Sequence, residues 1–138
     1  MKTVHEAYNE ALRRINIKDN EKIVLESKNI DYCYKFARDI PRANIKELEK
    51  VILESKDIHY CLVFAKHVDG ANIKAHKEVI LESKDSCYCY YFARDIFGAN
   101  KEELFKVVLE SGNKNWINAF LEEVDFDKEK FKNYLMFI

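Results

Sequence analysis

The stretch "ESKDIHYC", Glu54 to Cys61, repeats with small changes a phrase that reads "ESKNIDYC" at Glu26 to Cys33 and "ESKDSCYC" at Glu82 to Cys89. The spacing is 28 residues, and Glu110-Ser111 begin a fourth, looser statement. An aliphatic triplet stands before each: Ile23-Val24-Leu25, Val51-Ile52-Leu53, Val79-Ile80-Leu81 and Val107-Val108-Leu109. Beyond each phrase Phe36, Phe64, Phe92 and Phe120 align, as do Ile40, Val68, Ile96 and Val124. Tyr8 and Leu12 hold the same two places in a degenerate first copy. A fixed period of this kind is the signature of a repeat architecture.

Each copy carries two apolar patterns of helical period. Cys33, Phe36, Ala37 and Ile40 follow i, i+3, i+4, i+7, and Ile45, Leu48, Val51 and Ile52 make a second stripe. Pro41, Gly70 and Gly98 mark the turns between them. Asn16, Asn44, Asn72 and Asn100 follow as N-caps, with Asp19, Glu47 and Glu103 placed for capping boxes. In the last copy the register slips by one, with Asp127 as cap and Phe131, Tyr134 and Leu135 as stripe. Helices of about ten residues do not hold alone in water, so they must stack. The expected fold is all-α: a right-handed α-solenoid of five 28-residue αα-hairpins, about ten short helices in one domain over residues 1–138. The copies run approximately 1–26, 27–54, 55–82, 83–110 and 111–138.

The hydrophobic share of 48% and charged share of 34% fit a globular chain, and a formal net charge of −1 argues against bulk electrostatic binding of nucleic acid. The N-terminal stretch is charged throughout, and apolar runs such as "YCLVFA" fall far short of a membrane span. A soluble cytoplasmic protein with reduced thiols is the expectation. Cys33, Cys61 and Cys89 share a column with Ile117, which marks them as small core residues rather than ligands or nucleophiles; Cys87 lies outside it. The repeated glutamate, in Glu26, Glu54, Glu82 and Glu110, is expected to serve the next helix N-terminus or to pair with Lys28, Lys56 or Lys84. No cofactor or metal is expected: His59, His67 and His76 are the one histidine cluster, and the pair on one helix is eight residues apart rather than three or four. An enzyme is not expected, and these three histidines are the only residues that argue for one.

The phrase "YCYYFARDIFGANKEELFKVVLESG" (Tyr88 to Gly112) is similar to helical repeats of uncharacterised bacterial and viral proteins. The architecture resembles the HEAT and tetratricopeptide solenoids, whose repeats are longer, about 34–47 residues. The resemblance covers nearly the whole chain. It implies a fold and an interaction role, and brings no catalytic motif.

Columns shared by every copy build the repeat, so function is sought where copies differ. The outward side of the first helix carries Tyr34, Leu62 and Tyr90, then Lys35, Val63 and Tyr91, then Arg38, Lys66 and Arg94. The terminal copies put Glu6, Glu10, Asn118 and Glu122 there. Aromatic, aliphatic and basic in the middle and polar at the ends, this is the composition of a protein interface; the other reading is that neighbouring copies bury Leu62, Val63 and Tyr91 and that Arg38, Lys66 and Arg94 serve their own helix ends. The expected role is an adaptor or small regulator that binds a protein partner. The alternative is single-stranded nucleic-acid binding, with Tyr34 and Tyr90 stacking bases and the basic residues meeting phosphates. Phe137 and Ile138 raise either an apolar end-cap or a homodimer contact.

Overall fold

Each repeated phrase is the junction between two helices. In the computed structural model, which describes residues 1–135, Ser27, Ser55, Ser83 and Ser111 close α2 (Ile17–Ser27), α4 (Ile45–Ser55), α6 (Ile73–Ser83) and α8 (Lys101–Ser111). Each serine Oγ donates to a carbonyl three residues back, of Val24, Ile52, Ile80 or Val108, at 2.5–2.6 Å. The same oxygen accepts the amide of Asn29, Asp57, Asp85 or Asn113 at 3.1–3.2 Å. Between them Lys28, Lys56, Lys84 or Gly112 turns the chain through the left-handed region, φ 56–71°.

The Asn or Asp then caps the next helix: α3 (Ile30–Asp39), α5 (Ile58–His67), α7 (Ser86–Asp95) or α9 (Lys114–Glu123). Its side chain accepts the amide of Tyr32, Tyr60, Tyr88 or Trp116 at 3.0–3.3 Å, an interaction worth about 1 kcal/mol. Glu26, Glu54, Glu82 and Glu110 are exposed, and the capping expected of them belongs to the serine and to the Asn or Asp.

Two compact units are distinguished, Met1–Asn72 and the residues from Ile73 onward. In the first, α1 (Val4–Leu12) packs on α2 and α3 on α4; α1, α3 and α5 are successive neighbours, and α2 lies against α4. Phe36, Leu48, Ile52 and Phe64 are fully buried there, as the helical stripes require. In the second, α7 packs on α8, α6 lies beside α8, and α7 beside α9. Its far end is closed by rings: Phe120, Phe126 and Phe131 stand 4.8–4.9 Å from Phe105 between centroids. Every regular element among the described residues is helical.

Two capping details differ from the reading above. Asn44 and Asn100 cap as expected, accepting the amides of Glu47 and Glu103. Asn16 does not: it is left-handed at φ 46°, and its Nδ2 donates to Glu10 instead. The full reciprocal box stands at Thr3 and Glu6, ahead of α1. After Asp127 the chain forms a 3₁₀ turn (Lys128–Phe131) and a four-residue α10 (Lys132–Leu135) rather than a full helix.

A second column stitches neighbours together. Glu21 and Glu49 are almost fully buried, and each accepts a backbone amide 23 residues on, of Asn44 and of Asn72, at 2.7 Å. A buried carboxylate is tolerable when a donor answers it in this way. At the same interval the column becomes Lys77, which donates to Glu103 at 3.0 Å, and then Phe105.

The junction predicts a contrast between adjacent residues. Ser55→Ala removes a donor and an acceptor at once, and its urea midpoint is expected to report a loss of about 1–3 kcal/mol. Glu54→Ala, one residue before, is expected to stay within about 0.5 kcal/mol of wild type. Equal losses would show that the hydroxyl does not hold the turn.

Candidate partner-binding face

The outward residues of α3 and α5 arise because each helix spends its apolar stripe on the core, which leaves positions 34, 35 and 38 and their 28-residue counterparts on another side. Their environments divide sharply. Tyr34, Leu62 and Tyr90 are buried, at 7%, 8% and 5% exposure. Lys35, Val63 and Tyr91 are half-buried, and Arg38, Lys66 and Arg94 are exposed. Tyr34 and Tyr90 therefore present little of their rings to solvent.

In the first unit the Tyr34 ring packs against Tyr60 and Phe64, with centroids at 6.0 and 6.4 Å. The Arg38 guanidinium lies 5.1 Å above that ring and grips the neighbouring Asp39 with two bonds, at 2.7 and 2.8 Å. Asp39 also accepts the Tyr8 hydroxyl. Lys35 pairs with Asp31 at 2.9 Å, and Asp31 accepts the Tyr60 hydroxyl at 2.8 Å.

In the second unit the same pattern is built from more rings. Tyr90, Tyr91 and Trp116 are mutually in contact at 5.4–6.0 Å. Arg94 stands 5.3 and 5.0 Å over Tyr90 and Tyr91, and its Nε and Nη2 donate to Asp95 at 2.7 and 3.1 Å. Stacking of this kind is worth about 0.5–2 kcal/mol and fixes the guanidinium in place.

These contacts set the protonation chemistry. The Arg38 bonds hold the Asp39 carboxyl below the usual carboxylate range. Burial would raise Asp31, but the bonds from Lys35 and Tyr60 outweigh it and the net shift is downward. The Asp31 carboxylate, with burial second, pushes the Tyr60 phenol up to about 12, and burial followed by Asp39 takes Tyr8 to about 12.

The cysteines sit where the apolar column puts them. Cys33, Cys61 and Cys89 are fully buried, and burial raises their thiols to about 11, 12 and 12. Cys87 is half-buried. Of the histidines, His59 and His67 are exposed while His76 is fully buried, and no group of three possible metal-binding side chains is assembled among the described residues. No described helix is long and apolar enough to cross a membrane. Phe137 and Ile138, the homodimer candidates, lie outside the described residues.

One feature escaped the reading of the sequence: Tyr32, Tyr60, Tyr88 and Trp116 form an aromatic column of their own. Two of its hydroxyls reach back two helices, Tyr32 on α3 to His5 on α1 at 2.6 Å and Tyr60 on α5 to Asp31 on α3 at 2.8 Å. The 28-residue register that aligned the phenylalanines also aligns these rings and would have found them. Compared with protein-family models, with curated proteins and with solved structures, the chain matches none.

Two measurements check this geometry. With a thiol reagent such as DTNB, the native protein is expected to react at Cys87 alone, the other three cysteines only after unfolding; fast reaction of all four would contradict their burial. Tyr60 and Tyr8 hold their protons more tightly folded than unfolded. Their contribution to stability is therefore complete below about pH 10 and is lost as pH rises toward 12. In Asp31→Asn the Tyr60 phenol, followed by absorbance near 295 nm, is expected to titrate closer to about 10. An unmoved midpoint would remove the carboxylate from the explanation.

Proposed function

We propose that this chain is a non-enzymatic protein-interaction module, an adaptor or small regulator. Within it, Lys35, Arg38, Val63 and Lys66 on the first unit, and Tyr91 and Arg94 on the second, offer contact positions to a protein partner, with Tyr34, Leu62 and Tyr90 as their packed support. The observation that carries the reading is the repeated clamp at Arg38 and Arg94. Each guanidinium is stacked on tyrosine and bound by the following aspartate. Such an arginine is pre-organised and already neutralised, which suits a protein interface, where arginine and tyrosine dominate the binding energy. It suits phosphate less well, because Asp39 or Asp95 sets a negative charge against the incoming one. Burial of Tyr34 and Tyr90 weighs in the same direction, since a stacking platform needs an open ring.

The architectural part of the proposal is an α-solenoid of five 28-residue αα-hairpins in one domain. The recurrence of one serine-centred junction at that interval, in both units, supports it.

The test is a pull-down from nuclease-treated source-cell lysate with wild type and with Arg38→Ala, Lys66→Ala, Arg94→Ala combined, the variant first shown to be helical by circular dichroism. A protein retained by wild type and lost with the variant is the expected result. Equal retention by both would move the interaction off these residues, and a preference for a single-stranded oligonucleotide that falls steeply with salt would favour the nucleic-acid reading.

A further inference from the structure

The aromatic column Tyr32, Tyr60, Tyr88 and Trp116 changes character along the chain. In the first unit its polar tips are used inside the molecule, Tyr32 with His5 and Tyr60 with Asp31. In the second unit they are not. Among the described residues neither the Tyr88 hydroxyl nor the Trp116 indole N–H has a hydrogen-bond partner. Both side chains are half-buried.

Tyr91, also half-buried, joins these two rings. It is particular to its copy, since the positions 28 residues to either side carry Val63 and Ala119. Its ring stands 6.2 Å from Tyr88 on the same helix and 6.0 Å from Trp116 on α9, at interplanar angles of 85° and 69°. The three rings therefore meet edge to face, and each of the two corners is a notch between one ring face and one ring edge. The buried Tyr90 supports both Tyr91 and Trp116, at 5.4 and 5.5 Å. Among the described residues the one cation over Tyr91 is Arg94, which Asp95 binds.

Such a surface has no net charge and yet a definite charge pattern. Ring faces are negative, and the O–H and N–H tips are positive. Its complement brings carbonyl oxygens to the tips and polarised C–H groups to the faces. A proline-rich segment in the polyproline II conformation does both: its carbonyls make no internal hydrogen bonds, and its prolines carry no N–H that would need an acceptor here. Aromatic-lined grooves recognise such segments in this way. An α-helix would arrive with its carbonyls already bonded to its own amides. A β-strand would look for a free sheet edge, and every regular element among the described residues is helical. A nucleic-acid base stacks on an open parallel face, which corners of 69° and 85° do not leave.

We propose that Tyr88, Tyr91 and Trp116 bind a proline-rich segment of a partner protein, with the Tyr88 hydroxyl and the Trp116 N–H donating to its carbonyls. The proposal rests on the protein-interaction reading, whose face it continues from Tyr91 and Arg94, and names the chemistry of the partner.

Trp116 is the single tryptophan of the chain, so its fluorescence reports from the site itself. The probes are decaproline, a glycine–serine decamer and a decathymidylate. Decaproline is expected to shift the emission and to bind at least about tenfold more tightly than the glycine–serine peptide. Tyr88→Phe keeps the ring and removes one donor, and is expected to weaken decaproline by about two- to tenfold. Tyr91→Val removes the wall shared by both notches and is expected to abolish the shift; the same column carries valine at position 63, so the helix accommodates it. Should Tyr91→Val melt early, Tyr88→Phe carries the test alone. No shift with decaproline up to about 1 mM, an equal response to the glycine–serine peptide, unchanged affinity in Tyr88→Phe, or tighter binding of the decathymidylate would each overturn the assignment. If it fails while the Arg38, Lys66, Arg94 variant still loses its captured protein, the proline-segment proposal falls alone and the interaction reading stands.

Discussion

A serine hydroxyl at the end of a helix is the contact on which the rest depends. Donating backward to the carbonyl three residues before and accepting forward from the amide two residues after, it ties the end of one helix to the start of the next across a single left-handed residue. Without that link the chain would have to order a longer connection, at about 1–2 kcal/mol of backbone entropy per residue. Because the link is short, the following helix starts at a set place, and its aromatic and cysteine positions meet the core in the same register each time. The packing of Phe36, Phe64, Phe92 and Phe120 follows from that local geometry.

Much of this was legible in the sequence. Periodicity at 28 residues located the junctions, and the 3.6-residue stripes identified the helices and most of the buried residues, including Cys33, Cys61 and Cys89. What stayed hidden has a physical cause in each case. Glu21 and Glu49 look like ordinary surface charges, because nothing in a sequence shows that a backbone amide 23 residues away will satisfy them. Tyr34 and Tyr90 read as an outward face because a single-helix pattern says nothing about the ring of the next helix against which they pack. Asn16 and Asn44 occupy the same column, yet Asn16 is drawn away by Glu10, a residue that its 28-residue counterpart, Arg38, cannot imitate. The helix expected after Asp127 is shortened, and Phe131 from it joins Phe126, just before it, in closing the end of the second unit.

The charge pattern carries the functional argument. The chain is rich in ions and almost neutral, and around the outward residues of α3 and α7 that neutrality is local rather than an average over distant groups. Local pairing makes a surface specific without making it sticky: an approaching polyanion meets arginine and aspartate together, and a partner gains only where its own groups fit the clamp.

The change from glutamate to lysine in the buried column bears on how such chains can grow. Glu21 and Glu49 ask only for a backbone N–H, which any residue but proline supplies, so this contact sets no condition on the successor's side chain. Lys77 asks for an acid at one defined side chain, Glu103, and Phe105 asks for a cluster of rings. Through this one column the amino-terminal segments place no demand on a follower's side chain, whereas the later ones do. The demand made through this column thus rises toward the carboxyl-terminal side, which gives a chain of related segments a built-in direction.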